Sequence, residues 1–376
     1  LIRYELMDRL LHILRKVGKE GWTWLFSRIL FEIKCSRVTA FVCAVFQKKE
    51  SKSDELFAVY DLNVQSPSFN LVQFLICAEH YCIKKGYKNY SVVIVPKELN
   101  PALEWKELTE SYGEDAINYR TINLLSSLAS LSPRCNGVLS FATRKAARKL
   151  TSKANVFPEG YGFSTVGGFD NREVTRILLK EGVVCEFAVP KHIPAFMDKW
   201  QFFSSKDTKI VTITIRNSKF DPVRNSNVPE WVRFAEYVES LGYKPIIIPD
   251  ADQPFDRDGL PPRFTDIGLA ATYNMSIRLY LYQKAFVNCY VPNGPGIFAI
   301  YSTNINYIYM KAWLEGSCIS PSNVTDYDWI DPVKLRPYWG NDLQMFNGDV
   351  DTFDNIKKHF DEFCVRFNKK YDKVPS

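Results

Sequence analysis

The chain has 376 residues, enough for two cores of ordinary size. Hydrophobic residues make up 46% and charged residues 24%, a balance that excludes an intrinsically disordered chain. The formal net charge of +6 is spread along the whole length, and no Lys/Arg block with interleaved aromatics marks a nucleic-acid surface.

Aromatic residues reach 14%, a content that suits a large core more than stacking platforms. The nine cysteines are scattered, and none has the C-x-x-C spacing of a zinc ribbon or redox dithiol. Cys43 and Cys77 sit inside apolar runs, where cysteine acts as a small hydrophobe, the usage of a reducing compartment. A cytoplasmic protein is therefore expected. Two glycosylation sequons, at Asn274 and Asn323, stand without secretory context. The opening residue is Leu rather than Met, so the reading leaves room for residues upstream.

Residues 1–37 read as two amphipathic helices. The first stripes Ile2, Leu6, Leu10, Ile13, Leu14 and Val17; the second, from Gly21 to Lys34, carries Trp22, Trp24, Phe26 and Phe31 with Arg28. Such a basic, Trp-bearing extension suits either a membrane interface or a helical cap packed on protein. The run Val38–Phe46 is too short to span a bilayer.

After a polar loop at 47–54, a strand over 56–60 ends at Asp61. A helix from about Phe69 to Lys85 follows, closed by Gly86. Strands over 91–95 and 137–141 flank a helix at about 115–130. A short basic helix runs from Thr143 to Leu150, the stretch 156–162 is loop-like, and 171–180 is helical. Residues 189–207 form the candidate connection between halves. The pattern then restarts: a strand over 210–215 ending at Arg216, a helix over 229–241, and a strand over 244–249 ending at Asp250. A helix over 275–284, a strand over 285–291, a short helix over 296–302 and a strand over 305–310 come next. Residues 312–350 are loop-rich, and 351–371 form a closing helix. Uninterrupted apolar strands alternating with helices imply parallel sheets covered on both faces. The domain reading is an extension over 1–50, one Rossmann-like domain over 51–195 and a second over 196–376.

In doubly wound domains ligands bind beyond the carboxyl ends of the strands. Arg216 ends a buried strand there, and Arg224, Asn225 and Ser226 follow in its loop. Two guanidiniums at that edge suit a diphosphate clamp; the alternative is that Asp221 pairs with one Arg and the loop is merely structured. Asn293-Gly294-Pro295-Gly296 lies between a strand and a helix, where glycine admits a ligand to the backbone and unpaired N–H groups favour phosphate; a plain tight turn has the same composition. Asp250 suits a loop cap or a ribose contact. Asp61 suits a loop cap or a general base toward an acceptor hydroxyl, with Glu159 as the next candidate. The four histidines lack metal spacing, and neither a Walker loop, a G-x-S-x-G elbow nor a full G-x-G-x-x-G occurs.

Val59-Tyr60-Asp61, Ser91–Val95, Val156-Phe157-Pro158, the Arg216–Ser226 segment, Trp231 and Asn293-Gly294-Pro295 together resemble a family of glycan-locus proteins similar to glycosyltransferases of the two-Rossmann (GT-B) type. The resemblance runs from about residue 55 to the end. A more distant one is to fucosyltransferase-like enzymes with a His-x-Arg strand end; here Arg216 keeps the Arg, while Thr214 departs from the His and removes it as a catalytic candidate. The resemblance implies a nucleoside-diphosphate-sugar donor in the C-terminal half, a glycan or lipid-linked acceptor in the N-terminal half, and neither metal nor cofactor. The expected activity is metal-independent glycosyl transfer with Asp61 and Arg216 catalytic. A nucleotide-sugar epimerase and a non-catalytic glycan-binding scaffold are the alternatives.

Overall fold

The computed structural model describes residues 55–97, 105–152, 154–161, 171–182, 185–199, 209–251, 259–314, 329–331 and 333–371, with scattered positions between 17 and 29. Most of the 1–37 extension and the Asn323 sequon lie outside the described residues.

In chain order the elements are β1 (Leu56–Asp61), α1 (Leu71–Lys84), β2 (Tyr90–Val95), α2 (Trp105–Tyr112) and α3 (Glu114–Tyr119). A π-helical turn (Arg120–Leu124) leads to α4 (Leu125–Ala129), β3 (Cys135–Ser140), α5 (Arg144–Thr151), β4 (Asn155–Phe157), α6 (Asn171–Glu181) and α7 (His192–Met197). Then come β5 (Ile210–Thr214), α8 (Val228–Ser240), β6 (Lys244–Ile248), α9 (Pro262–Tyr273), α10 (Met275–Lys284), β7 (Val287–Tyr290) and α11 (Ile297–Ile300). The chain finishes with β8 (Tyr307–Tyr309), β9 (Ile330–Asp331), β10 (Arg336–Pro337), β11 (Gln344–Phe346) and α12 (Phe353–Tyr371).

Contacts divide the chain into two compact units. One takes Leu1–Ser66, Tyr81–Glu110 and Arg134–Asp170; the other takes Pro67–His80, Ser111–Pro133 and Asn171–Ser376. Each holds one parallel sheet, so the α/β class with two Rossmann-like sheets is the observed architecture.

The first sheet has the order β3-β2-β1-β4. β1 and β2 are buried along their whole length, as their continuous apolar sequences require. Period-two alternation puts Phe57, Val59, Val93 and Val95 on one face, where they pack with Ala147 of α5 and with Tyr161. The edge strand β3 is largely exposed. The 156–162 stretch, read as a loop, supplies β4, which pairs with β1 from Asn155 to Phe157.

The second sheet has the order β11-β8-β7-β5-β6. Val211, Ile213 and Ile215 pack against Trp231, Phe234, Ala235 and Val238 of α8 and against Ile356, Phe360 and Phe363 of α12. α9 lies close on β6: a Cβ added at Gly268 would stand 1.8 Å from the Ile247 carbonyl oxygen, so only glycine fits. The stretch read as loop-rich contains the β9–β10 antiparallel pair and β11, which joins β8 in parallel. These segments of two or three residues are too short to show a period.

Both sheets contain a topological switch point. In the first it falls between β1 and β4; in the second, between β5 and β7, whose ends are in register with Thr214 opposite Tyr290.

Candidate functional site

At the switch point of the second sheet, β5 delivers Arg216, which is 6% exposed. Its backbone is tied to the loop that returns from it: the Arg216 N–H donates to Ser226 Oγ (2.9 Å) and the Ser226 N–H to the Arg216 carbonyl (2.9 Å). The Asn225 side chain closes the loop a second time, accepting from the Ser218 N–H and donating to the Ser218 carbonyl, both at 3.1 Å. Asn225 and Ser226, expected to contact a ligand, thus give these polar groups to loop geometry. Lys311 adds a further tie, its Nζ donating to the Asn225 carbonyl (2.8 Å) while pairing with the buried Asp351 (2.7 Å).

The two arginines of the expected clamp differ. Arg224 pairs with Asp221 at 2.9 Å, where Asp221 holds a left-handed φ of 52°. Arg216 sends Nη2 to the carbonyls of Phe220 and Asp221, while its buried Nε finds no acceptor among the described residues. Burial, and then the neighbouring Arg224 cation, depress the pKa of Arg216. Like charges held this close favour an anion between them.

Asp250, at the end of β6, accepts the Asn217 N–H at 2.8 Å, which is the loop-capping role. Burial raises the pKa of its carboxyl, opposed first by that N–H and then by Arg216, Arg278 and Arg120. The last two arginines were not singled out in the sequence. Arg278 lies on α10 and is 1% exposed; its Nε donates to the Ala271 carbonyl (2.9 Å) and its buried Nη2 has no acceptor among the described residues. Arg120 stands over the Tyr112 ring at 4.5 Å, and the Tyr112 hydroxyl meets Ser218 Oγ at 2.8 Å. A helical Arg reads as ordinary surface charge, so no sequence signal flags Arg120; for Arg278, the apolar residues on every side of α10 were the available clue.

The Asn293–Gly296 turn follows β7. The Gly296 N–H already donates to Asn293 Oδ1 (2.7 Å), and Asn293 Nδ2 is buried without a partner among the described residues. A Cβ at Gly294 would lie 2.2 Å from the Phe69 ring and one at Gly296 2.7 Å from the Tyr290 ring. Packing against aromatic rings accounts for both glycines; Pro295 precedes α11 and its carbonyl accepts the Phe298 N–H.

At the switch point of the first sheet, Asp61 is 3% exposed and accepts four donors. They are Arg144 Nη1 and Nη2 (2.7 Å each), the Tyr161 hydroxyl (2.5 Å) and the Asn63 N–H (2.8 Å). A carboxylate offers about four lone-pair sites, and four donors take them. Glu159 is exposed and pairs with Lys85 at 3.3 Å. Thr214, at the position of the fucosyltransferase-like His, is 2% exposed and bonded to Tyr282 OH (2.8 Å). Among the described residues, no group of three His, Cys, Asp or Glu side chains is placed to hold a metal.

No family model matches the chain, and no curated protein matches its sequence. Among solved structures, the ADP-heptose LPS heptosyltransferase II of E. coli is similar with a TM-score of 0.51 and 9% identity, over 84% of this chain and 99% of that one. A family 9 glycosyl transferase from Veillonella parvula reaches 0.45 at 9% identity, over 85% and 99%. An E. coli heptosyltransferase solved with ADP reaches 0.44 at 10%, over 82% and 99%. At such identity the likeness speaks to fold. The likeness to heptosyltransferase II supports the α/β architecture with two parallel sheets, and does not extend to the fucosyltransferase-like resemblance.

Proposed function

We propose that the chain is a glycosyltransferase that moves a sugar from a nucleoside-diphosphate donor to a glycan acceptor without a metal ion. One observation carries the reading: Arg120, Arg216, Arg224 and Arg278 gather at the carboxyl edge of the second sheet, where the buried Arg216 Nε and Arg278 Nη2 find no acceptor among the described residues. A diphosphate supplies both the charge and the oxygens that such donors need, and the same donors stabilise the nucleotide as it departs. The fold's likeness to a heptosyltransferase that uses ADP-heptose makes ADP-sugars the first donors to try.

The acceptor is assigned to the first unit. With its four donors, Asp61 holds Arg144 and Tyr161 in place; a base role requires it to release one of them, and Glu159 is the next carboxylate to test. Residues 1–37 are assigned to a membrane surface, supported by Trp22, Phe26 and Ile29, which are exposed at i, i+4 and i+7. No helix among the described residues is long and apolar enough to cross a membrane. Deleting residues 1–37 is expected to release the protein from anionic vesicles in flotation.

The central test is a panel of ADP-, UDP-, GDP- and CMP-sugars in EDTA, followed by melting temperature and by product formation. A ligand at 100 times its Kd stabilises by about 2.7 kcal/mol, a readily measured shift. One donor class should raise the melting temperature and support transfer. A panel without any shift would remove the reading.

A further inference from the structure

On the second unit, away from the residues of the arginine-lined edge, a cavity of about 320 Å³ opens beside α12. That volume is at the small end of ligand sites, roughly 300–1,000 Å³. Leu335, Met345 and Phe346 give it an apolar wall, and Met345 and Phe346 are each 4% exposed. Its charged lining is balanced, with Lys334 and Arg366 against Asp342 and Glu362. Arg366 pairs with Glu362 at 2.5 Å, and Asp342 with Arg336 at 3.3 Å. A strongly charged ligand would have to break these pairs.

His359 completes the lining and is 7% exposed. Its Nε2 lies 2.8 Å from Asp349 Oδ2. Nδ1 is buried with no hydrogen-bond partner among the described residues, 3.8 Å from Glu362 Oε2. A buried polar atom left unmatched is the exception in folded proteins.

We infer that this cavity binds a neutral polyhydroxyl ligand, a sugar residue, through hydroxyls bonded to His359 Nδ1 and Glu362 with its C–H face on Leu335. A hydroxyl both donates and accepts, so neighbouring hydroxyls satisfy the histidine, the carboxylate and the guanidinium of Arg366 without adding charge. The inference does not rest on the donor site and makes this a second carbohydrate contact on the chain.

Saturation-transfer NMR on the full chain tests it, with methyl glucoside, methyl N-acetylglucosaminide and myo-inositol as probes. Wild type and Arg216→Ala should both transfer saturation to at least one probe. Leu335→Trp, which fills the cavity, should abolish the signal, and Arg366→Met should weaken affinity about tenfold, the scale of one lost hydrogen bond. Circular dichroism verifies each fold, and either folded variant decides the question alone. Silence from all probes on wild type, or undiminished transfer in a folded variant, would overturn the inference. So would transfer from acetate with none from the sugars, which would make the cavity an anion site.

Discussion

At the switch point of the first sheet, Asp61 meets Arg144 two N–H groups to two oxygens, and Tyr161 and the Asn63 N–H close the remaining positions. At the switch point of the second, Arg216 arrives beside Arg224, near Arg278 and Arg120, with Asp221 and Asp250 as the carboxylates at hand. The same topology therefore produces one edge whose charges and lone pairs cancel and another with surplus cation and donors unmet among the described residues. Position in a doubly wound sheet says where a ligand can sit. The balance of hydrogen bonds says which edge still wants one.

The largest effect should come from breaking the closed edge. Asp61→Ala removes the carboxylate from the Arg144 guanidinium, which is 10% exposed and keeps the Pro96 carbonyl at 3.0 Å, and removing one partner of a buried pair costs about 3–5 kcal/mol. Urea unfolding reads this directly, and donor-induced stabilisation should survive in whatever protein remains folded. Asp61→Asn keeps the shape but not the charge; if its transfer rate falls on the order of 10²–10⁴ while its stability holds, Asp61 is a base after all. Next comes the open edge. Arg216→Ala should lose about 2–4 kcal/mol of transition-state stabilisation and most donor-dependent melting shift. Undiminished turnover in that variant would detach the arginine cluster from the chemistry.

The strands of both sheets were legible because buried parallel strands are apolar without interruption, and Arg216 and Asp61 were legible as the polar residues that end them. What the sequence hid was partnership. Nothing local says that Arg144, 83 residues from Asp61, is its counter-ion, or that Arg278 on α10 is 1% exposed. The glycines of the Asn293–Gly296 turn looked like an approach for a ligand, yet the rings of Phe69 and Tyr290 occupy that space. β4 and β11 escaped because three residues cannot display a period.

Asp250 sharpens the comparison, because its two readings have opposite signs. As a counter-ion it dilutes the arginine field, so Asp250→Asn should tighten donor binding several-fold; as a ribose ligand its loss should weaken binding by about tenfold. Stability gives a second reading. Burial raises the folded pKa of this acid, so the folded state holds more protons than the unfolded one above about pH 4, and wild-type stability falls as pH rises through that window. The variant lacks the titration, and its stability relative to wild type should therefore climb over the same window. Calorimetry across pH 4–8 separates the outcomes.

The smallest effects test whether each edge depends on the helix that carries its arginine. Arg144 opens α5, where Thr143 Oγ1 accepts the Ala146 N–H at 3.2 Å. Arg278 lies in the first turns of α10, where Asn274 Oδ1 accepts from the Ser276 and Ile277 N–H groups at 2.9 and 3.1 Å. Replacing either cap by alanine should cost about 1 kcal/mol, since one or two helix N–H groups lose their acceptor. Equal losses in stability should not have equal consequences. Thr143→Ala loosens a helix whose arginine is already anchored by Asp61, so donor affinity should not change. Asn274→Ala loosens the helix that positions an arginine whose Nε donates to the Ala271 carbonyl, and donor affinity should drop two- to fivefold, roughly 0.4–1 kcal/mol. Melting temperature and donor calorimetry on the two variants give four numbers. A donor affinity that falls equally in both, or in neither, would show that the open edge owes nothing to the placement of Arg278.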